Sequence, residues 1–259
     1  MSLTLKDQRD TIGTITLNHQ EKRNALSSQL IDEVMAALKD FVDAGARVVV
    51  LRAAPGVKVW SAGHDVEELP LSNRDPLGWD DPLRRLVRAI EETPMPVIAM
   101  IEGSVWGGAC EVAMACDIVV ACEASTFAIT PAKLGVPYNL TGLMTFMNAV
   151  HLHIVKEMAF TAQPIAARRA EQLGIVNRVV PAEELEATSY GLAAQIAQNA
   201  PLSIAVMKEE LNLLANARDL SPQTFERIQA LRRVVYNSAD YREGIQAFLE
   251  KRRPLFRGE

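Results

Sequence analysis

The chain has 259 residues, which is enough for one large domain with a sizeable buried core. About half of it is hydrophobic (49%), and the formal net charge is −5 with a pI near 5.5. An acidic chain with only 5% aromatic residues is not typical of nucleic-acid-binding proteins, which usually carry clustered basic and aromatic side chains. A polyanionic ligand would have to be met by local positive charge.

Targeting signals and disulfide pairs are not indicated by the sequence. The first residues lack a basic segment followed by an apolar one, and no apolar run reaches membrane-spanning length. The three cysteines, Cys110, Cys116 and Cys122, are odd in number and form no Cys-x-x-Cys pair, which favours buried free thiols. We therefore expect a cytoplasmic protein with no membrane partner.

Strand-like and helix-like segments alternate in the first half of the chain. A helical face of apolar residues from Leu30 to Val42 follows a cap at Ser27 and Ser28. The β-α-β order predicts an α/β fold with parallel crossovers. Strands are predicted at 14–17, 48–51, 97–101 and 118–121.

Helical periodicity dominates after about residue 141, with prolines 164, 201 and 222 at plausible helix starts. A helical region of this kind often buries its apolar stripe against a partner subunit, so we expect a homo-oligomer. Helices are predicted at 154–160, 165–173, 184–198, 202–214, 225–236 and 241–251.

Residues 69–82 read as a loop, because they combine prolines, a glycine and charged side chains. The loop lies between two glycine motifs. A lid over a binding site and a plain surface connection are both compatible with it.

Two strand-like segments each run into a glycine-containing turn, the first at Gly63 and the second at Gly107 and Gly108. A turn that opens a helix leaves backbone N–H groups without internal acceptors. A side chain at Gly63 or Gly107 would block a carbonyl oxygen from the backbone. Each motif alone is more often a tight turn, but two converging turns can form an oxyanion hole.

Five parts of the sequence carry a family resemblance: Asn18, 22–26 (KRNAL), 61–66 (SAGHDV), 103–111 (GSVWGGACE) and 116–118 (CDI). Together they resemble the enoyl-CoA hydratase/isomerase (crotonase) superfamily, and the match runs from about residue 11 to residue 256. The resemblance implies an α/β spiral of β-β-α units with a C-terminal helical trimerisation region, often paired into hexamers. Residues 1–195 would form the core with the CoA and acyl site, and residues 196–259 the oligomerisation region.

The same resemblance implies roles for individual residues. The N–H groups of His64 and Gly108 would hold the thioester oxygen of an acyl-CoA substrate. No cofactor is implied beyond the CoA that the substrate carries, and no metal. The residues expected to bind substrate are Lys22, Arg23, Ala25, Ala62, Gly63, Asp65, Val66, Gly107, Thr130 and Lys251.

One departure from the family pattern bears on the reaction. Hydratases of this family use two carboxylates, and Glu111 matches the first. The second falls within 130–132, and no acidic residue occurs anywhere from 125 to 150. Hydration by two acids is therefore not expected, whereas decarboxylation of a malonyl-type thioester needs mainly the oxyanion hole.

Within the family, several stretches most resemble the members that decarboxylate methylmalonyl-CoA, and this is the activity we expect. Alternatives that stay open are hydration, isomerisation or thioester hydrolysis, and a preference for ethylmalonyl-CoA. An alternative from another functional class is a non-catalytic protein that binds acyl-CoA. The presence of Gly63, Gly107 and Gly108 argues against it.

Three side chains near these motifs have open roles. Tyr138 could orient the leaving carboxylate or simply pack at a turn. Glu111 could donate a proton to the enolate or be structural. The His64 side chain could contact the substrate, Tyr138 or neither.

Arg84, Arg85 and Arg88 could meet CoA phosphates, but a solvated basic face is expected.

Overall fold

The computed structural model describes residues 2–70, 75, 77–218 and 220–259. Two sheets form its centre. The six-stranded sheet has the order β1-β2-β3-β5-β7-β10 and is parallel except for the β1–β2 pair. The four-stranded sheet has the order β4-β6-β8-β9 and is antiparallel only at β9. The strands are β1 Thr4–Arg9, β2 Ile12–Leu17, β3 Val48–Ala53, β4 Val59–Ser61, β5 Val97–Ile101, β6 Ser104–Trp106, β7 Ile118–Cys122, β8 Thr126–Ala128, β9 Ile165–Ala166 and β10 Arg178–Val180.

Ten α-helices surround the sheets in the described part of the chain. Several begin at side chains that accept a hydrogen bond from a backbone N–H, as Ser27 does for α1 and Asp81 for α2. The helices are α1 Ser28–Asp43, α2 Pro82–Glu92, α3 Gly108–Ala115, α4 Leu140–Ala149, α5 Leu152–Thr161, α6 Ala167–Gln172, α7 Ala182–Ala197, α8 Pro201–Ala215, α9 Pro222–Tyr236 and α10 Ala239–Leu249.

The chain repeats a β-β-α unit, which confirms the predicted architecture. In the units β3-β4-α2 and β5-β6-α3, the first strand joins the large sheet and the second joins the small one. Each turn of this spiral carries the chain from one sheet to the other. The strands of the small sheet therefore end side by side, where the two glycine turns follow β4 and β6.

The large sheet is buried on both faces, as its continuous apolar strands require. Alternate residues of β3 face opposite sides: Val49 and Leu51 join the main core, whereas Val48 and Val50 pack with Leu185 of α7. The main core lies between the sheets and helices α1 to α3. It includes Trp60 and Val105, which precede the two glycine turns, and Ala109, which follows the second.

Several predicted elements differ from the structure. The predicted helix at 165–173 is wrong at its start, because residues 165–166 form β9 and the helix begins at Ala167 rather than near Pro164. The C-terminal half also contributes β10 to the large sheet. Helix α4 and the exposed edge strand β1 were missed, since β1 alternates charged and apolar residues only weakly.

The predicted loop at 69–82 is confirmed for its described residues, which are non-helical up to Pro82, where α2 begins. Residues 71–74 and 76 lie outside the described part of the chain. Its described parts contact the C-terminal helices. The Tyr241 hydroxyl donates to the Pro70 carbonyl at 2.6 Å, and Arg232 pairs with Asp75 at 2.7 Å. Whether the loop acts as a lid stays a prediction.

Helix α8 is joined to the core by a buried lysine. The Lys208 ammonium, with 6% of its side chain exposed, donates to the carbonyls of Ile90 and Met95 and to the Asp117 carboxylate at 2.8–3.0 Å. Asp117 also accepts the Val97 N–H at 2.7 Å.

In the described part of the chain, no helix is both long and apolar enough to cross a membrane.

We expect Lys208→Met to lower the free energy of unfolding by roughly 3 kcal/mol, because it leaves a partly buried carboxylate and two carbonyls without their donor. Urea denaturation measures this loss. Lys39→Met is the matched control, since Lys39 is 76% exposed and its pair with Asp43 should contribute less than about 1 kcal/mol. Equal losses in the two variants would contradict this assignment.

Candidate active site

A cavity of about 530 Å³ opens at the ends of the small sheet. Its walls come from the 3-10 turn at Gln20–Lys22, from the turns after β4 and β6, from residues 130–138 and from the end of α10. The predicted site residues that line it are Lys22, Arg23, Ala25, Ala62, His64, Asp65, Val66, Gly107, Gly108, Thr130 and Tyr138.

Asn24 holds the first wall of the cavity in place. It is fully buried in a left-handed conformation, and its amide donates to the Trp60 carbonyl at 2.9 Å. In return the Ser61 hydroxyl donates to the Asn24 carbonyl at 2.7 Å, and the Leu26 N–H donates to the Gly63 carbonyl at 2.8 Å. These bonds explain why the KRNAL and SAGHDV segments occur together: each completes the backbone hydrogen bonds of the other.

The two glycine turns approach each other closely. Gly63 has a φ of +85°, and a methyl group built on it would lie 2.4 Å from the Trp106 carbonyl oxygen and 3.0 Å from the Gly108 nitrogen. Only glycine fits there. A methyl group built on Gly108 would lie 3.5 Å from the His64 nitrogen. The backbone amides of His64 and Gly108 are therefore neighbours at the cavity wall.

Both amides have free donors. Gly108 is the first residue of α3, and Gly107 precedes it with a φ of +55°. Among the described residues, neither the His64 nor the Gly108 N–H has a protein acceptor. Together with the positive end of α3, they can receive a negatively charged oxygen atom from the cavity.

Glu111 lies behind the cavity rather than in it. It is fully buried, and its two carboxylate oxygens are bonded to the Arg84 guanidinium and to the Tyr138 hydroxyl, the latter at 2.7 Å. Burial raises the pKa of Glu111, and Arg84 and Tyr138 oppose that rise. Burial also raises the pKa of Tyr138 well above its usual range, with a further contribution from Glu111.

The expectation of a solvated basic face at Arg84, Arg85 and Arg88 is wrong for Arg84, which is buried in the pair with Glu111. Its helical position could not reveal this, because the partner is 27 residues away. Arg85 pairs with Asp32 at 3.0 Å, and Arg88 lies over the Trp79 ring. Both remain partly exposed.

The His64 imidazole is held by two oxygen atoms. Its Nδ1 lies 3.1 Å from the Asp65 carbonyl oxygen and its Nε2 lies 3.3 Å from Asp81 Oδ2. Burial works against a charged ring, but Asp81, the Asp65 carbonyl and Glu68 together outweigh it and raise the pKa of His64. Of the options left open for this side chain, contact with Tyr138 is not observed.

The first turn of α2 contacts each part of the site, and sequence reasoning missed this. Asp81 contacts His64, and Arg84 pairs with Glu111. Leu83 packs so closely on Gly108 that a methyl group there would lie 2.7 Å from its Cδ2. The sequence does carry a signal for the helix start, an Asp followed by Pro at the first helical position. It carries none for the three contacts.

Positive side chains lie among the residues that line the cavity, as a phosphate-bearing ligand would require, although Glu21 and Glu67 line it too. Lys22, Arg23 and Lys133 are exposed there, although Lys22 also pairs with Asp65 and Glu67. Lys133 was missed. The predicted Lys251 follows α10 and lies outside the cavity lining, where Phe248 and Leu249 are found instead. Gly63 and Glu111 also lie outside the lining, one shaping it and one behind it.

The geometry can be compared with known proteins. The family described as enoyl-CoA hydratase/isomerase matches residues 7–259. The chain is 51% identical to the methylmalonyl-CoA decarboxylase of Escherichia coli (strain K12) over 247 residues, which cover 95% of each chain.

Solved structures of methylmalonyl-CoA decarboxylases are also similar to this chain. A methylmalonyl-CoA decarboxylase in complex with 2-nitronate-propionyl-CoA superposes with a TM-score of 0.98 at 49% identity and 99% coverage of both chains. One complexed with 2S-carboxypropyl-CoA has the same TM-score and identity, with coverage of 100% of this chain and 99% of that one. With the fold, the paired glycine turns and the sequence similarity in agreement, the chain belongs to the enoyl-CoA hydratase/isomerase family.

Proposed function

We propose that this protein is an enzyme that decarboxylates methylmalonyl-CoA to propionyl-CoA and CO₂. The observation that carries the proposal is the pair of free amides at His64 and Gly108, in a chain that is half identical to a methylmalonyl-CoA decarboxylase along nearly its entire length. These amides are the donors that a thioester enolate needs.

The reaction follows from where the charge moves. When the bond between Cα and the carboxylate carbon breaks, its electron pair passes through Cα to the thioester oxygen, and neutral CO₂ leaves. The electron pair then returns to Cα, which takes up a proton from water to give propionyl-CoA. The His64 and Gly108 N–H groups stabilise this oxygen more strongly as it becomes negative, so they lower the barrier rather than only binding substrate. The thioester carbonyl itself accepts the electrons, and we propose that CoA is the only coenzyme required.

We assign Tyr138 to orienting the departing carboxylate. Its hydroxyl has one proton, which is donated to Glu111 in the ligand-free protein. Arg84 also neutralises Glu111. The hydroxyl can therefore turn to a substrate carboxylate without leaving Glu111 unpaired. A neutral donor holds the carboxylate without over-stabilising its charge in the ground state.

The alternative of hydration by two acids has less support. Glu111 has both oxygens occupied within the protein, and the segment where the second acid is expected lines the cavity with Thr130, Pro131 and Lys133. No described carboxylate faces the cavity at that position.

The three cysteines are free and buried, which agrees with our proposal of a reducing, cytoplasmic location.

Methylmalonyl-CoA offered to the purified protein should yield propionyl-CoA and CO₂, which mass spectrometry detects. Ethylmalonyl-CoA should react more slowly, by roughly 10- to 200-fold, because one methylene gives that range of discrimination in an apolar pocket. Crotonyl-CoA is the control and should survive. Hydrated crotonyl-CoA beside intact malonyl thioesters would overturn the proposal and make Glu111 the central acid or base.

Gly108→Ala should lower kcat/KM by about 10²- to 10³-fold, comparable to losing an oxyanion-hole donor. The added methyl group points toward the His64 nitrogen, into the space for the thioester oxygen. The Leu83 Cδ2 that it meets ends a flexible side chain, so the fold should survive. Gly191→Ala is the matched control, since Gly191 is an exposed helical glycine with nothing near its Cβ. Equal activity in the two variants would argue against the oxyanion assignment.

We also propose that the C-terminal helices associate with further copies of this chain, as a trimer or a pair of trimers. Helix α8 exposes Leu202, Val206, Met207, Leu211 and Leu214, each with more than half of its surface accessible. An apolar patch of this kind marks an interaction surface. Family resemblance favours identical subunits as its partner.

The double variant Val206→Glu/Leu211→Glu should dissociate the assembly, because it places charges in the apolar interface. Light scattering after size-exclusion chromatography gives the mass. Gln195→Glu, on the exposed face of α7, should leave the mass at that of the wild type. A monomeric wild-type protein would refute this proposal.

A further inference from the structure

The His64 side chain has no role in the reaction proposed above, yet His64 lines two cavities. On one side it lines the 530 Å³ substrate cavity. On the other it lines a second cavity of about 650 Å³, whose walls include Glu68, Asp80 and Asp81. Only 14% of the side chain is exposed. Because the ring is mostly buried, water screens its charge little. A charge on the ring therefore acts on the backbone amide of His64 and on an oxygen atom bound to that amide.

The hydrogen bonds of the ring indicate that charge state. The Asp65 carbonyl and the Asp81 carboxylate can only accept hydrogen bonds, and they lie 3.1 Å and 3.3 Å from the two ring nitrogens. A neutral imidazole has one N–H and would leave one nitrogen lone pair facing an acceptor oxygen. An imidazolium has two N–H groups and satisfies both oxygens. Asp81 itself is fixed, because its other oxygen accepts the Leu83 N–H at 2.9 Å.

The charged groups around the ring agree with a retained proton. Asp81 from α2 and Glu68 from the neighbouring 3-10 turn both favour the charged form. The Asp65 carboxylate is taken up by Lys22. Across the substrate cavity, Glu111 is neutralised by Arg84 and bonded by Tyr138. No described cation contacts the imidazole.

We propose that His64 is held as an imidazolium by Asp81 and the Asp65 carbonyl, and that this fixed positive charge stabilises the enolate oxygen at the adjacent His64 and Gly108 amides. The inference rests on the proposed decarboxylation and adds to it. No proton leaves the ring: both N–H groups stay on their acceptors while the C–C electron pair moves to the thioester oxygen. Because the charge is in place before reaction, it favours the enolate without reorganisation.

Asp81 acts through His64 and is thus a positioning residue. Activity should depend on the imidazolium, so kcat should fall as the pH rises through the His64 pKa. Asp81→Asn removes the charge that supports this proton, whereas Asn can still cap α2. We expect the basic limb of the kcat profile to move down by about one pH unit. Above the His64 pKa of the wild type kcat should fall by about tenfold, and well below the His64 pKa of the variant the loss should be about threefold or less.

The control variant is Asp80→Asn, which removes a neighbouring carboxylate from the same second cavity without touching His64. It should keep the wild-type profile. Binding gives a second control: 2S-carboxypropyl-CoA has no thioester carbonyl, so its Kd should change less than about threefold in Asp81→Asn. A loss of affinity equal to the loss of kcat would mean a structural effect and would overturn the proposal.

A direct reading of the ring does not depend on turnover. Nitrogen NMR of the ligand-free protein labelled at histidine, with the His64→Gln variant for assignment, should show both His64 ring nitrogens protonated at pH 7. Asp81→Asn should lower the midpoint of that titration. A single N–H at pH 7 would refute the proposal even in an active enzyme. If the ring is charged but methylmalonyl-CoA is not consumed, the proposed function is wrong and the assigned charge state stands.

Discussion

The close approach of two backbone turns is the constraint on which the rest of the site depends. Strands β4 and β6 are parallel neighbours, so the turns that follow them leave the small sheet at the same edge. Gly63 allows the first turn to pass under the Trp106 carbonyl, where any Cβ would collide. As a result, the amides of His64 and Gly108 share one small region of the cavity wall. A site made of backbone donors needs this geometry more than it needs any particular side chain.

The first turn of α2 holds that geometry from a third direction. Asp81, Leu83 and Arg84 occupy four consecutive positions with Pro82, and they contact His64, Gly108 and Glu111 respectively. One helix start thus contacts both residues whose backbone amides are free, His64 and Gly108, and the buried acid. The loop that leads into it is joined to α9 and α10 through Arg232 and Tyr241. The C-terminal helices therefore support the site although only the end of α10 lines it.

The contacts of Glu111 bear on which reaction the proposed site can carry out. A carboxylate that activates water needs a free oxygen, and here both oxygens are occupied by Arg84 and Tyr138. The buried ion pair costs desolvation, which the two contacts offset. What remains for chemistry is the amide pair, the Tyr138 hydroxyl and an imidazole that faces only acceptors. This set suits a reaction whose single demand is to hold a developing enolate.

The sequence by itself determined the α/β class, the four central strands, most C-terminal helices and the two glycine turns. These features are local: strand and helix periodicity and the need for glycine at a tight turn are set within a few residues. Resemblance to the family then indicated eleven of the residues that line the cavity. Among the missed elements, β6, β8 and β9 are short strands that exist only because neighbouring strands pair with them.

Only the tertiary structure decided which polar side chains meet. Arg84 was expected in solvent, yet it lies against Glu111, 27 residues away, and Asp81 meets His64 across 17 residues. Such pairs depend on how the spiral stacks one unit on the next, and no local pattern encodes that distance. The raised pKa values of His64 and Glu111 follow from burial and from those partners, so they too are properties of the folded chain rather than of the sequence.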